Sequence, residues 1–241
     1  MKILWVLGLL SGSALAAPTA AEILSNVDRG LNAFKDGTFD SKLLVHDGGS
    51  AREYGFTTFQ KGSEKRLVRF NSPGDVRGMG VLLENKETMY VFLPGFQRIR
   101  RMGMHAKNQN FMGSDFSYDD IAQTAFSPSY TAELAPEEPS SYVLELKVKP
   151  KIETDFPRMK MWVDKSNWSP TKMEYYDASG KKVKTQVRDG YHQDGPGHFQ
   201  PTRVVVTDHR RGDHVSEIVF TGSKIDSGLG DDLFTQRALL R

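Results

Sequence analysis

The sequence predicts a mainly β fold with a few helices, because short segments of alternating apolar and polar residues fill most of the chain. Residues 142–149 and 159–164 alternate in this way, which buries one face of each strand and leaves the other face wetter. Gly, Asp, Asn, Ser and Pro separate about a dozen such segments at hairpin-length distances. We expect a meandering antiparallel sheet, and a sheet of that width tends to curl.

The predicted strands are short and end at turn-forming residues. They cover residues 39–45, 53–60, 65–70, 79–84, 88–93, 97–101, 142–149, 159–164, 171–176, 181–188, 199–208 and 214–221. Residues 81–83 and 89–93 are apolar on both faces, which predicts that the sheet is covered on one side there and packed or ligand-bearing on the other. Residues 135–139 (APEEP) are expected to link two halves of the sheet.

A first, amphipathic helix is predicted over residues 20–35. Thr19 and Glu22 form the T-x-x-E pattern of a capping box, apolar residues follow at helical spacing, and Gly37 marks the stop. One side of this helix is apolar, so we expect that side to be buried.

Two further short helices are expected. One starts at Ser117 and runs to about Ala125, with Asp119 and Asp120 in its first turn, where the helix dipole favours acidic side chains. The other covers residues 231–240. It is predicted to place four residues on one side, namely Leu233, Phe234, Arg237 and Leu240.

Residues 1–17 have the form of a secretory signal peptide. Lys2 gives a basic start, residues 3–10 (ILWVLGLL) form an apolar run, and residues 14–16 (ALA) form a small-x-small cleavage pattern. A membrane anchor needs about 20 apolar residues, so this run is too short to be one. We expect cleavage near Ala16 or Ala17, a periplasmic location and one mature domain at residues 18–241.

The composition excludes several classes of function. The chain has no cysteine, which rules out disulfides, thiol catalysis and thiolate metal sites. A formal net charge of +2 with mixed signs gives no support for nucleic-acid binding. The sequence contains no G-x-S-x-G, no H-E-x-x-H and no phosphate-binding glycine loop. We therefore expect neither an enzyme nor a cofactor.

We interpret the clusters of titratable residues as structural and not as catalytic or metal-binding. His192 and His198 flank a loop with Asp194, but a metal needs converging ligands, and a loop rich in Gly and Pro favours ordinary loop residues. Carboxylates cluster at Asp115, Asp119 and Asp120, and helix capping explains Asp119 and Asp120 more directly than acid/base chemistry does. No catalytic residue and no metal site are predicted.

Two other features have two interpretations each. Methionine is frequent on the predicted strands, and its flexible side chain suits both variable apolar ligands and ordinary core packing. The densest basic stretch consists of Arg98, Arg100, Arg101, His105 and Lys107. It is either a solvated strand face or a contact for an anionic lipid head group or an acidic partner.

Three motifs resemble those of a known family. They are PGDVRGMG at residues 73–80, MYVFLP at 89–94 and FMGSDFSYDDI at 111–121. The series resembles the outer-membrane lipoprotein-sorting protein family, the LolA/LolB-like group, in the broader branch linked to RND- or MMPL-type exporters. The resemblance covers residues 53–234.

The resemblance implies a fold and an activity. The fold is an incomplete antiparallel β-barrel, a half-barrel curved around an apolar cavity with a helical lid. The activity is to bind acyl chains of lipoproteins or lipids and to pass them, through transient membrane contact, to an outer-membrane or transporter partner. Well-studied carriers of this group also use an arginine beneath the lid in acyl-chain release, and the three motifs do not place that arginine in this chain.

Under this resemblance, residues 109–126 are expected to form part of the lid, with Gly113 as a pivot. Arg98, Arg100 and Arg101 are expected to contact a head group or a partner. The expected cavity and lid contacts to ligand are Met79, Met89, Val91, Leu93, Phe111, Met112, Phe116, Tyr118 and Met161.

Two alternative functions stay open. The same half-barrel fits a lipid- or lipoprotein-sensing accessory or regulatory module of a membrane transporter, which binds its partner with ligand-dependent affinity. A hydrolase acting on envelope lipids needs a nucleophile and a base, and loss of turnover after changing Asp115 or His105 would reveal one. A carrier differs from both because it transfers its ligand between two membranes.

Overall fold

The computed structural model describes residues 17–85, 88–103 and 108–240. The predicted signal peptide up to Ala16 lies outside the described residues, and so do His105 and Lys107. Across the described ranges, no helix is both long enough and apolar enough to cross a membrane.

The described ranges contain three α-helices and fifteen strands. The helices are α1 (Ala20–Leu31), α2 (Tyr118–Ala122) and α3 (Gln236–Leu239). The strands are β1 (Asp36–Asp47), β2 (Ser50–Lys61), β3 (Lys65–Ser72), β4 (Gly80–Leu83), β5 (Met89–Leu93), β6 (Arg98–Met102), β7 (Tyr130–Ala135), β8 (Ser141–Val148), β9 (Arg158–Asp164), β10 (Pro170–Tyr176), β11 (Lys182–Asp189), β12 (His192–Gly195), β13 (His198–Gln200), β14 (Arg203–Asp208) and β15 (His214–Ile225).

Thirteen of these strands form one curved antiparallel sheet that does not close into a barrel, in the order β6-β5-β4-β3-β2-β1-β15-β14-β11-β10-β9-β8-β7. The chain enters at the middle of the sheet with β1 and winds outward to the edge strand β6. It then crosses to the opposite edge, β7, and winds back until β15 pairs with β1. The predicted half-barrel is therefore confirmed.

The connection between the two halves is not where the sequence placed it. Residues 135–139 lead into a hairpin turn, because Ala135 at the end of β7 pairs with Val143 on β8. The chain instead crosses between the halves after β6. Within that crossing, residues 109–126 (the lid segment) lie over one face of the sheet, which we call the inner face.

The strand predictions hold for most of the sheet and fail at three places. Strand β7, over Tyr130–Ala135, and strand β12, over His192–Gly195, were not predicted. The predicted strand 199–208 is two strands, because Pro201, which has no N–H to donate to a ladder, separates β13 from β14. β13 pairs with β12 in a small hairpin instead.

The first two helices begin where the sequence predicts and end earlier. In α1, Thr19 Oγ1 accepts from Glu22 N at 3.3 Å, and Glu22 Oε2 accepts from Thr19 N at 2.8 Å, which confirms the capping box. The chain leaves the helix at Asn32, whose side chain donates to the Thr124 carbonyl oxygen of the lid segment at 2.8 Å. Helix α2 has Ser117 as its N-cap and ends at Ala122.

The predicted C-terminal helix is broken into two turns at Thr235. That residue is extended, and its hydroxyl accepts from Ala238 N to start α3. The break rotates the second turn, so Leu239 is buried while Leu240 is 59% exposed and Arg237 faces solvent. The prediction that Arg237 and Leu240 share a side with Leu233 and Phe234 was therefore wrong.

The apolar core consists of three clusters. The first lies between the lid segment and the inner face of β1–β5, β14 and β15. The second lies between α1 and the inner face of β7–β11. The third lies on the outer face of β3–β5, where Leu82 packs with Phe234 and Leu239 of the C-terminal residues. Strand β4 is buried on both faces, as predicted, whereas β5 is buried at Met89 and Val91 and only half-buried at its other residues.

Candidate functional site

A cavity of about 140 Å³ lies where the end of α1, the lid segment and the inner face meet. Most of its wall is apolar and aromatic, supplied by Leu31, Phe34, Phe39, Phe56, Phe116, Ile121, Phe126, Phe199, Val204, Ile218 and Phe220. Its polar wall includes Thr58, Gln60, Arg66, Asp120, Gln123, Thr124, Gln186, Arg188, His198 and Gln200.

The volume of the cavity limits what it holds in this conformation. An apolar protein cavity of about 150 Å³ accommodates one benzene molecule. The cavity of this protein, about 140 Å³, is therefore large enough for a head group or a short piece of chain. A longer apolar ligand requires the lid segment to move away from the first cluster.

The lid segment is held to the sheet by three polar anchors, and Arg66 on β3 is the first. Its Nη1 donates to the carbonyl oxygens of Ile121 at 2.7 Å and Gln123 at 3.3 Å, and its Nη2 donates to Gln60 Oε1 at 2.5 Å. Burial, together with the positive charge of Arg188, lowers the pKa of Arg66 to about 10.

Lys184 on β11 forms the second anchor. Its Nζ lies 2.8 Å and 2.7 Å from the two carboxylate oxygens of Asp120, and its ammonium sits over the rings of Tyr175 at 4.2 Å and Phe156 at 4.5 Å. Asp120 also accepts from the Ser117 backbone N–H at 2.7 Å, so the N3 residue of the capping box of α2 also ties the helix to the sheet.

Asp115 forms the third anchor, and its side chain is completely buried. Its carboxylate accepts from Arg211 Nη1 at 2.7 Å and from Ser216 Oγ at 2.6 Å, and His214 Nδ1 lies 2.7 Å from Oδ2. The Ser216 hydroxyl is completely buried, and its oxygen also accepts from the Asp115 backbone N–H at 3.1 Å. These contacts of Asp115 join the lid segment to the β14–β15 hairpin.

Sequence and structure comparisons identify relatives with the same architecture. A family model described as "Uncharacterized protein" matches residues 62–241, more than half of the chain. A LolA superfamily protein from Nitrosomonas europaea is 25% identical, with a TM-score of 0.78 over 92% of this chain and 100% of that chain. The chain belongs to the LolA-like family. No curated protein matches it.

Two other solved structures share this LolA-like fold. A DUF1329 family protein from Desulfovibrio piger is 26% identical, with a TM-score of 0.84, covering 91% of this chain and 97% of that one. A domain from Vibrio parahaemolyticus described as outer membrane lipoprotein-sorting has a TM-score of 0.84 at 21% identity, covering 92% of this chain and 98% of that one.

In this LolA-like chain, most of the predicted ligand residues lie together, but few reach the cavity. Phe116 lines it. Met161 is separate, since it is buried in the second cluster under α1. The remaining residues belong to the first cluster, directly beneath or within the lid segment, and they are Met79, Met89, Val91, Leu93, Phe111, Met112 and Tyr118.

The predicted head-group contacts lie on an edge strand, and the predicted pivot lies in the lid segment. Arg98, Arg100 and Arg101 are exposed on the edge strand β6. Gly113 has a φ of +75°, and Met112 before it has a φ of +55°, so the lid segment contains two consecutive left-handed residues at the predicted pivot.

The histidines interpreted as loop residues belong to the β12–β13 hairpin instead. His198 lines the cavity, and its Nδ1 lies 2.5 Å from Asp194 Oδ1. Within the described ranges, no group of three His, Cys, Asp or Glu residues is placed to hold a metal ion.

Sequence reasoning missed Arg66, although a signal for it exists. Arg66 precedes Val68 and Phe70 on β3 at period-two spacing, and both of these side chains are buried on the inner face. A charged residue in register with buried apolar residues is unusual, because burial of an unpaired charge is costly. Such a residue points to a polar contact from another element, which here is the lid segment.

Proposed function

We propose that this LolA-like protein is a periplasmic carrier. It binds acyl chains of lipoproteins or lipids on the inner face and passes them to an outer-membrane or RND/MMPL-type transporter partner. The observation that carries this proposal is a lid segment held by polar anchors over an apolar inner face, with a cavity beside it.

The packing of the lid segment supports reversible binding. In the closed state, Phe111 fills the inner face, with its ring centroid 5.4 Å from that of Phe70. An acyl chain that displaces such side chains gains about 0.8 kcal/mol for each buried CH₂ group. The lid side chains lose burial when they are displaced, which offsets part of this gain. Release then requires a closed state favoured by a comparable amount, or a partner that binds the chain more tightly.

The polar anchors support the same role. The hydrogen bonds of Arg66 end on backbone carbonyl oxygens of the lid segment, so they depend on where the lid lies and not on which side chains it carries. An opening movement breaks these bonds together with those of Asp120 and Asp115. The anchors therefore define one closed position to which the lid segment returns after release.

The export signal supports a carrier that works outside the cytoplasm. In this proposal, cleavage near Ala16 or Ala17 releases the single domain of residues 18–241 into the periplasm. Arg98, Arg100 and Arg101 on the exposed edge strand then make the transient contact with lipid head groups or with the partner.

Transfer of a fluorescent fatty acid between donor and acceptor vesicles, measured with the exported protein, tests the proposal. We expect transfer that increases with protein concentration, and a reduced rate for Phe116→Ala and Met112→Ala. Leu134→Ala is the matched control, because Leu134 is 54% exposed on the edge strand β7, away from the lid segment.

The result that contradicts the carrier is binding without transfer. Ligand-dependent, stable association with a membrane partner in the absence of transfer would instead support the regulatory module. Unchanged binding and transfer in Phe116→Ala and Met112→Ala would overturn the assignment of the lid segment.

A further inference from the structure

Two arginines in the cavity wall each have a buried N–H without a partner. These are Nε of Arg66 on β3 and Nε of Arg188 on β11. Buried polar groups in folded proteins are nearly always hydrogen-bonded, so each exception needs an explanation. In the described part of the chain only two other buried side-chain atoms share this state, Ser41 Oγ and Asp194 Oδ2.

The hydrogen bonds that these arginines do make leave their charge unbalanced. Arg66 donates to two backbone carbonyl oxygens and to the amide oxygen of Gln60, and Arg188 Nη2 lies 3.4 Å from the amide oxygen of Gln186. All of these acceptors are neutral. Both side chains line the same cavity, and the positive charge of Arg188 adds to the effect of burial in lowering the pKa of Arg66.

The carboxylate in the cavity wall has its own cation. Asp120 is bound by Lys184, with N–O distances of 2.7 Å and 2.8 Å. Asp194 Oδ1 lies 2.5 Å from Nδ1 of His198, which lines the wall, and Asp194 Oδ2 has no partner. Among the described residues, neither Arg66 nor Arg188 forms an ion pair with a carboxylate, although both lie in a largely aromatic cavity. This arrangement favours an anion that accepts hydrogen bonds from both arginines. Such an anion neutralises two like charges that are otherwise buried without a counter-ion.

We propose that this cavity binds the anionic head group of a single-chain amphiphile, a carboxylate or a phosphate held between Arg66 and Arg188. The apolar chain follows the aromatic wall formed by residues such as Phe34 and Phe116, under the displaced lid segment. This inference rests on the proposed carrier function and narrows its cargo to acyl ligands with a negative head. A cavity of about 140 Å³ accommodates such a head group in the closed position.

Matched ligands of one chain length test the inference with the exported protein. Laurate, dodecyl phosphate and dodecanol each have twelve carbons in a single saturated chain and differ in the head group. We expect displacement of a fluorescent fatty acid to give at least about tenfold tighter binding for the anionic ligands than for dodecanol, as charge-assisted hydrogen bonds predict. The ranking of laurate against dodecyl phosphate identifies which anion the site prefers.

Arg188→Gln is the diagnostic variant, because Arg66 also anchors the lid segment. We expect the preference for anionic ligands to fall several-fold in Arg188→Gln. Arg52→Gln is the control, since it removes the same charge from a side chain that is 65% exposed on β2. Urea denaturation of each variant checks that it is folded. The comparison of laurate with dodecanol uses the wild-type protein, so its result does not depend on the folding of any variant.

The outcomes separate the two proposals. Equal affinity for dodecanol and laurate overturns the head-group site and leaves the carrier intact. A preference that persists in Arg188→Gln also overturns the site. Failure of all three ligands to bind overturns the carrier itself.

Discussion

The ammonium of Lys184 lies within 2.8 Å of both carboxylate oxygens of Asp120, and its side chain is 2% exposed. This ion pair joins helix α2 of the lid segment to strand β11 of the sheet. Since a buried charge is tolerated only with its partner, each of the two residues requires the other.

Removing one member of this pair is expected to be costly. Lys184→Met leaves Asp120 without its cation and should lower the free energy of unfolding by about 3–5 kcal/mol. The double variant Lys184→Met, Asp120→Asn should lose much less than the sum of the two single losses. Urea denaturation measures these values, and purely additive losses would contradict the coupling.

The matched control for this prediction is an exposed ion pair. Lys147 lies 2.8 Å from Glu133, and both side chains are more than half exposed. Lys147→Met should therefore change the free energy of unfolding by less than about 1 kcal/mol.

Replacing Arg66 by lysine should loosen the lid segment without disturbing the sheet. A lysine has a single nitrogen, so it cannot reproduce the donation from Nη1 to the carbonyl oxygens of Ile121 and Gln123 together with the donation from Nη2 to Gln60 Oε1. We expect amide hydrogen exchange in residues 109–126 to become at least about tenfold faster while exchange in β8–β10 is unchanged.

The control for Arg66→Lys lies on the same strand and the opposite face. Arg69 Nη2 donates to the Ala238 carbonyl oxygen of the C-terminal residues. Arg69→Lys should therefore accelerate exchange near the C-terminus and leave the lid segment unchanged. Equal exchange in the lid segments of wild type and Arg66→Lys would show that this anchor does not hold the lid.

Because of Glu174, the free energy of unfolding is expected to fall in acid. Burial raises the pKa of its carboxyl, but hydrogen bonds from Lys172 and Tyr176 and the charges of Lys172 and Lys182 outweigh it and lower the pKa to about 2. A carboxyl group whose pKa is depressed in the folded state stabilises the protein above pH 4.5, the pKa of the group in the unfolded chain. This contribution to the free energy of unfolding is lost as the pH falls toward 2.

Glu174→Gln should therefore remove part of this acid dependence. The contribution at neutral pH is roughly 1–2 kcal/mol after allowance for screening by solvent. Urea denaturation at several pH values between 7 and 2 measures it. Glu133→Gln is the exposed control, and the prediction is wrong if both variants keep the wild-type slope below pH 4.5.

A methyl group at residue 80 should disturb the outer-face cluster. A Cβ built on Gly80 would lie 2.6 Å from Leu239 Cδ2, and Leu239 is completely buried. Gly80→Ala should lower the free energy of unfolding by about 1–3 kcal/mol, the usual cost of overpacking.

Gly95→Ala is the control for Gly80→Ala, because a Cβ at Gly95 would meet nothing within 4 Å. Thermal or urea denaturation distinguishes the two variants. Equal stability of both would show that the C-terminal residues shift away from β4 at no cost.

Local features of this chain are predictable from its sequence because they depend on neighbouring residues. The capping boxes at Thr19 and Ser117 involve residues three positions apart, and period-two alternation reports the burial of each strand. The broken helix near Thr235 was missed because its second turn is oriented by contacts with strands far away in the sequence.

The site depends on contacts that sequence patterns do not encode. Arg66 and Ile121 are 55 positions apart, and Asp115 and Ser216 are 101 positions apart. Both contacts follow from the crossing between the two sheet edges and from the pairing of β1 with β15. Met161 was expected among the ligand contacts, but it is buried in the second cluster, where α1 covers the inner face.

The crossing between β6 and β7 has a mechanical consequence. Its two ends join opposite edges of a curved sheet, so the lid segment within it is tethered on both sides, unlike a flap that hangs from one hinge. A change in the curvature of the sheet alters the distance that the crossing spans. In the proposed carrier, a partner bound to either edge strand can therefore influence the lid segment without contact with the ligand.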